Sequence, residues 1–437
     1  MEAKLLLEKN SASDLRILVQ RIISNEVPIE TVAQQYRKVI EGRERDIKAF
    51  EFLDWDVVDQ QIDKLAATAA DQRGRLFGLP VAVKDIFDTA DMPTTYGSRI
   101  YKGHRPTVDA ACVARLRHAG AVILGKTVTT EFAYWHAGPT RNPLNPGHTP
   151  GGSSSGSCAG LAAGMFPLAL GSQTAASTIR PASYCGITGY KPSRQWISRA
   201  GVKPLAANSL DAVGVFGKCV DDVKLLASVL AGTCFEAETF SPALTLWCGE
   251  EWNAAESYAI DAVVTAADKL ATAGSTIHRA APSSLFAGLL DTQKLIMARE
   301  AAMDLADEFL NHRAALSDTL GGFLEEGCNI SADQYAAALQ TTTVCRARVD
   351  ELFGPGDILA APSTLDEAPL AANGTGNPDM SRVWTLLDLP SITIPVGTGP
   401  AGLPLGLQLA ARPGQDAKLL GAAKWIEAVL SGEPEPA

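Results

Sequence analysis

Residues 149–157, TPGGSSSGS, set three consecutive serines between glycines just after a proline-rich stretch. Gly/Ser tracts are usually slack chain, but a serine hydroxyl becomes a nucleophile once a neighbour takes its proton. Two patterns here suggest chemistry, and both read poorly. Residues 152–156, GSSSG, fit G-x-S-x-G and would make Ser154 the nucleophile of an elbow. That elbow needs a strand running straight into the turn, whereas TRNPLNPGHTP upstream holds three prolines and no strand. The downstream histidines, His278 and His312, have nothing around them that marks a base. Residues 120–127, GAVILGKT, fit the phosphate-loop pattern G-x-x-x-x-G-K-[ST]. Their middle four residues, Ala121 to Leu124, read as a strand, leaving no loop to wrap a phosphate.

With no convincing histidine, the candidate base is a lysine. Such a lysine must be neutral, so it needs burial or a cationic neighbour. Lys84 ends the apolar run LPVAV and is carried out of the core by a strand. It fits two roles: a base, or a strand-end lysine paired with Asp85. A second serine, Ser177, follows the small residues of TAAS in LGSQTAASTIRPASYCGITGYKPS, residues 170–193. Small side chains let backbone N–H groups reach a ligand oxygen, as an oxyanion hole requires. The same segment also reads as a polar turn between strand and helix, and Pro181 and Gly186 predict a fixed, non-helical path there.

The surrounding elements alternate. Residues 79–84, 121–124, 166–170, 243–248, 275–281, 357–363, 391–397 and 405–411 are short apolar runs that predict strands. Between them, residues 107–120 predict a helix with Thr107 as N-cap, residues 156–165 a helix of small residues, and residues 256–274 an amphipathic helix. Residues 284–353 read as mainly helical. The N-terminal stretch reads as helices, starting after the capping-box-like SASD at 11–14 and again near Pro28. This is the pattern of an α/β protein. Strand-like runs at both ends of the chain predict one large sheet and one domain over residues 1–437. Within it lie a helical segment at 1–72, a core at 75–235, a variable region at 236–353 and a return to the sheet at 355–430.

Composition narrows the field. The chain has 437 residues with 46% hydrophobic content, ample for a large core. Lys and Arg total 38 against 49 Asp and Glu, so the formal charge is −11. That balance argues against nucleic acid or an anionic membrane as partner. No apolar run reaches the ~18 residues of a membrane span, and MEAKLLLEKN at the start is no signal peptide. The expected setting is cytoplasmic. Eight cysteines lie scattered with no C-x-x-C, and six histidines contain no H-E-x-x-H, so neither a disulfide scaffold nor a metal centre is expected.

Taken together these segments resemble the amidase signature family. The likeness runs through GLPVAVKD at Lys84, residues 120–133, RNPLNPGHTPGGSSSGS at 141–157, GSQTAASTIRPASYCGITGYKPS at 171–193, residues 209–223 and residues 389–414. It implies a single α/β/α domain with a large mixed central sheet covered by helices, and no metal or cofactor. It also implies a catalytic triad of Lys84, Ser153 held through a cis peptide, and Ser177 as nucleophile. By the same likeness Thr174, Ala175 and Ala176 form the oxyanion hole. Ser154, Gln173 and Arg180 support the site, and Tyr134 and Trp135 line the substrate pocket or else fill core. The family's usual two glycines before the nucleophile are alanines here, and Gln173 replaces its usual Asp. Both departures imply an altered pocket. The activity implied is hydrolysis of a small-molecule amide, or an ester or carbamate (urethane), through an acyl-enzyme. Two other readings stand beside it: a glutamine-hydrolysing amidotransferase subunit, and a non-catalytic binding protein derived from an amidase. A homodimer contact through the N-terminal helices, LLLEKN included, is the remaining partner expectation.

Overall fold

A computed structural model describes residues 14–236, 238–280 and 283–432. The expectations placed on SASD at 11–13, on LLLEKN and on Ala281 lie outside those residues. Among the described residues eleven strands form one mixed sheet. They are β1 (Phe50–Leu53), β2 (Pro80–Lys84), β3 (Val122–Thr127), β4 (Leu168–Gln173), β5 (Thr188–Lys191), β6 (Ala212–Gly217), β7 (Leu244–Trp247), β8 (Ile277–Ala280), β9 (Ile358–Pro362), β10 (Ser391–Thr398) and β11 (Pro404–Ala410). Their order is β1-β3-β2-β4-β6-β5-β10-β11-β9-β7-β8, so the strands of residues 50–217 form one half of the sheet and those of residues 244–410 the other, joined where β5 pairs with β10. The expected α/β class with a large central sheet is what the chain adopts. Strands β2, β4 and β9 are buried along their whole length, which is why they read as near-continuous apolar runs; β3 and β6 are buried throughout as well.

Helices cover both faces. The helix Ile29–Ile47 buries Val32, Tyr36 and Ile40, joining a cluster that contains Ala82, Val122 and Phe166, so the N-terminal helices pack on the main body. The larger cluster lies beneath the helices Val220–Ala231, Leu289–Asp304 and Asp416–Ser431. Among the described residues no helix is long and apolar enough to cross a membrane.

Several local expectations are corrected. The helix predicted from Thr107 begins at Ala111, with Ala110 at the N-cap. Before that point the backbone is tied elsewhere: Ala110 N–H donates to Asp88 O at 2.8 Å and Ala111 N–H to Ala200 O at 3.0 Å. Pro181 does not prevent a helix over Ile179–Cys185. It is the third residue, where the N–H that proline lacks would have no intrahelical acceptor. Gly186, at φ 67°, then ends the helix in the left-handed conformation. Strands β1, β5 and β6 had no counterpart in the sequence reading. In β6 a Cβ on Gly214 would lie 2.0 Å from Thr178 Oγ1, so the glycine lets this strand press against the turn next to Ser177.

Candidate active site

Strands β2 and β4 run parallel, with Val81 opposite Leu168 and Val83 opposite Leu170. Parallel strands end on the same side, so Lys84 at the end of β2 emerges beside Ser172 near the end of β4. The helix Ser155–Ala162 is wedged against them. Its small residues are what permit this, since a Cβ on Gly156 would lie 2.2 Å from Ala49 O and 2.5 Å from Val128 N. Ser157 pins it to both sides: its hydroxyl donates to Leu170 O at 2.8 Å and is 2.7 Å from Thr127 Oγ1. The turn before this helix therefore delivers Ser153 onto the ends of the two strands.

Lys84 Nζ donates to Ser153 Oγ at 2.7 Å and to Ser172 Oγ at 2.8 Å. The lysine is fully buried, and burial pushes its amine down to about 7, with Cys158 and Asp211 acting weakly the other way. Asp85 is not its partner. That carboxylate accepts from Thr95 and pairs at 3.2 Å with Lys126, which also donates to Thr94 Oγ1 at 2.6 Å and Phe87 O at 2.7 Å. Two buried lysines thus occupy adjacent strands in opposite roles. Lys126 is paired with a carboxylate inside β3, burial pulling its amine down and Asp85 acting the other way, and it is not part of a loop that could wrap a phosphate. Lys84 has two hydroxyls and no carboxylate.

Ser153 follows a cis peptide bond from Gly152. Arg180 holds that bond's carbonyl: its Nη2 donates to Gly152 O at 2.8 Å and to Thr375 Oγ1 at 3.2 Å, while Nη1 donates to Gly376 O. Ser154 is fully buried. Its hydroxyl lies 3.4 Å from Ser172 N and 3.5 Å from Ser172 O, fixing the serine to which Lys84 donates. Ser172 itself escaped the sequence reading, although the parallel pairing of β2 with β4 makes it the natural neighbour of Lys84.

Ser177 lies in the turn between β4 and the helix Ile179–Cys185. Gln173 organises that turn: its Oε1 accepts from Thr178 N at 2.9 Å and Ile179 N at 3.1 Å, and its Nε2 donates to Thr385 Oγ1 at 3.0 Å. It thereby satisfies two of the first-turn donors that a helix leaves open. Thr174, the first residue of the expected oxyanion hole, is held by its hydroxyl, which donates to Asp211 at 2.6 Å, and by its carbonyl, which accepts from Gln293 at 3.1 Å, with its N–H given no partner among the described residues. Among the described residues the N–H groups of Ala175, Ala176 and Ser177, and the Ser177 hydroxyl, have no hydrogen-bond partner. Neither alanine has a positive φ, so the two added methyls cost no backbone strain.

Ser153, Thr174, Ala175, Ala176, Ser177 and Arg180 line one narrow cleft, together with Tyr134, Trp135, Met297, Thr375 and Arg382. Its free space is about 20 Å³, room for about one water. Both aromatics line the cleft: Tyr134 stacks on Phe323 at 4.1 Å and also packs against the core, whereas Trp135 remains 39% exposed. A larger cavity of about 280 Å³ lies behind the same turn, sharing Ala133 and Thr174 with the cleft and reaching Ser172. Among the described residues no group of His, Cys, Asp or Glu is arranged to hold a metal ion.

The amidase sequence profile matches residues 31–420. The chain is 32% identical over 457 residues to a glutamyl-tRNA(Gln) amidotransferase subunit of Koribacter versatilis, covering 92% of this chain and 95% of that protein. It is 34% identical to the corresponding subunit from Anaeromyxobacter sp. (strain K), over 85% of this chain and 86% of the other. Among solved structures, a chain from a vestigial protein complex bearing on the origins of an s-triazine catabolic enzyme superposes with a TM-score of 0.86. It is 28% identical and covers 96% of this chain and 98% of that one. The native peptide amidase from Stenotrophomonas maltophilia superposes with a TM-score of 0.81 at 25% identity, over 98% of this chain and 99% of that one. With the profile running from the N-terminal helices into the last helix, the chain belongs to the amidase family.

Proposed function

We propose that this protein hydrolyses the carbon–nitrogen bond of an amide through an acyl-enzyme on Ser177. The observation that carries the reading is a buried lysine amine, pushed down to about 7, held 2.7 Å from Ser153 on the wall of the cleft that also holds Ser177. In the neutral amine the lone pair accepts the Ser153 proton while Ser153 takes the proton of Ser177. Ser177 Oγ bonds to the carbonyl carbon, and the N–H groups along Thr174, Ala175, Ala176 and Ser177 are the donors for the oxygen that becomes charged. The C–N bond then breaks, and the proton held on Lys84 returns through Ser153 to the leaving nitrogen. Water attacks the ester by the same route in reverse and releases the acid and free Ser177. Esters and carbamates offer the same carbonyl and a leaving atom that accepts the same proton.

A second reading concerns where the nitrogen goes. The curated relatives, at 32–34% identity over most of the chain, are amidotransferase subunits, and this likeness supports a glutamine-hydrolysing subunit of an assembly better than it supports a free-standing amidase. Both readings share every step at Ser177. A fluorophosphonate probe tests that common core: it labels Ser177 in the wild type and nothing in Ser177→Ala. Absence of labelling favours the binding-protein reading. Glutaminase activity that appears only with partner subunits selects the amidotransferase, and hydrolysis of simple amides or carbamates by the lone chain selects the amidase.

A further inference from the structure

Arg382 sits on the helix Asp379–Leu386 and is 7% exposed. Its Nε donates to Asp379 Oδ1 at 2.9 Å. Its Nη1 donates to Gln293 Oε1 and lies 3.6 Å from Met297 Sδ. The third nitrogen, Nη2, has no partner among the described residues, although the guanidinium lines the cleft beside Ser177. A guanidinium carries five N–H donors and no acceptor, and Nη2 is not sealed in the protein interior, so its donors face the open space of the cleft. In Arg180 both terminal nitrogens are committed to the carbonyls of Gly152 and Gly376 and to Thr375, and the unpartnered Nε is buried, out of reach of a ligand.

The charge around the cleft is lopsided. Two guanidiniums line it, and none of its described lining residues is acidic. Asp379 stands behind Arg382 and is shared with Lys294, whose Nζ is 4.0 Å away. The placement of Arg382 relative to the nucleophile is also fixed. Gln293, fully buried, donates to Thr174 O at 3.1 Å and accepts from Arg382, so one side chain ties the guanidinium to the turn that carries Ser177.

We propose that Arg382 is a carboxylate-binding specificity residue, and that the substrate is an amide bearing a carboxylate a few carbons from the scissile carbonyl. A planar guanidinium matches a carboxylate better than any other side chain does, and because Arg382 and Ser177 line the same narrow cleft the spacer between carboxylate and scissile carbonyl is short. The assignment rests on the hydrolase reading for the position of the scissile bond, but anion binding is tested without turnover. The carboxylate belongs either to a simple ω-amido acid or to an amino acid amide such as glutamine.

The probes are glutaramate, its neutral counterpart valeramide, and L-glutamine, titrated calorimetrically into the Ser177→Ala protein. Glutaramate or L-glutamine binds at least about tenfold tighter than valeramide, the effect of one charge-assisted hydrogen bond. Arg382→Met reduces that preference to within about twofold, and Arg382→Lys keeps part of it. If glutaramate binds and L-glutamine does not, the source is a simple amido acid; tight L-glutamine binding with the same dependence on Arg382 assigns it to an amino acid. Equal affinity for glutaramate and valeramide overturns the proposal, as does no binding of any probe at tens of millimolar or a preference that survives Arg382→Met. The comparison within Ser177→Ala alone decides the case where Arg382→Met does not fold. Loss of fluorophosphonate labelling in the wild type overturns the hydrolase reading and leaves this measurement intact.

Discussion

Replacing Lys84 with methionine separates a base from a structural cation. At pH 7 an amine at about 7 is neutral in half the molecules, against about one in three thousand for an ordinary lysine. As the base, Lys84 makes kcat/KM on a neutral p-nitroanilide fall tenfold per pH unit below about 7 and level off above about 8. Stability moves with the same group. Between about 7 and 10.5 the unfolded chain binds a proton that the folded chain lacks, so stability rises with pH across that window. Below about 7 the cost of burying the amine is present in full, and the gap from 10.5 down to about 7 corresponds to roughly 5 kcal/mol. Methionine fills a similar volume without that cost, and it forfeits two hydrogen bonds of roughly 1 kcal/mol each. Lys84→Met is therefore inactive yet more stable by about 2–3 kcal/mol at pH 7, a gain that shrinks toward pH 10. Guanidinium unfolding at pH 6, 7.5 and 9 reads the difference, and comparison with the wild type cancels other titrating groups such as Glu427, also raised to about 7. A rate profile with its midpoint near 10, or a variant destabilised equally at all three pH values, would refute the reasoning.

Ser172→Ala removes one acceptor from the protonated Lys84 amine, so the rate profile shifts to lower pH and kcat falls about tenfold with little change in KM; an unmoved midpoint with full kcat places Ser172 outside the relay. Gln173→Ala leaves the N–H groups of Thr178 and Ile179 without their acceptor and costs about 1–2 kcal/mol in chemical denaturation. A loss below about 0.3 kcal/mol means that other groups cap the helix. Gly156→Ala drives a Cβ into the backbone of Ala49 and Val128, costing at least about 2 kcal/mol and lowering kcat as the turn at Ser153 moves. A Tm unchanged within a degree refutes that tight fit.

What could be read in advance was what local sequence records. Strands β2 and β4 are apolar runs, and Lys84, Ser153 and Ser177 sit in short motifs beside them, so Ser153 and Ser177 sharing one cleft with Lys84 behind Ser153 required only that the strands lie side by side. Strands β5 and β6 carry glycines where Ala182 and Thr178 press on them, and those glycines interrupt the apolar signal. The helix Ile179–Cys185 was hidden by Pro181, whose cost disappears in a first turn. Partners from the far end of the chain were out of reach altogether. Thr385 meets Gln173 across 212 residues, and Gln293 and Arg382 belong to helices whose patterns record only which face is buried. The pairing of Asp85 with Lys126 instead of Lys84 turns on which face of each strand a side chain leaves, which adjacency in sequence does not decide.

The order of strands also sets a sequence of events at the ribosome. Residues 50–217 supply β1 to β6, a contiguous six-stranded half-sheet that leaves the ribosome first with β5 at its rim. The strand that covers that rim, β10, begins at Ser391. At about 5–20 residues per second the intervening chain takes on the order of ten seconds or more to emerge. For that interval a half-sheet carrying Lys84, Ser153 and Ser177 stands with an unpaired edge, a template for another nascent chain. Expression yield of this protein should therefore respond to translation speed and to chaperones that bind exposed strand edges.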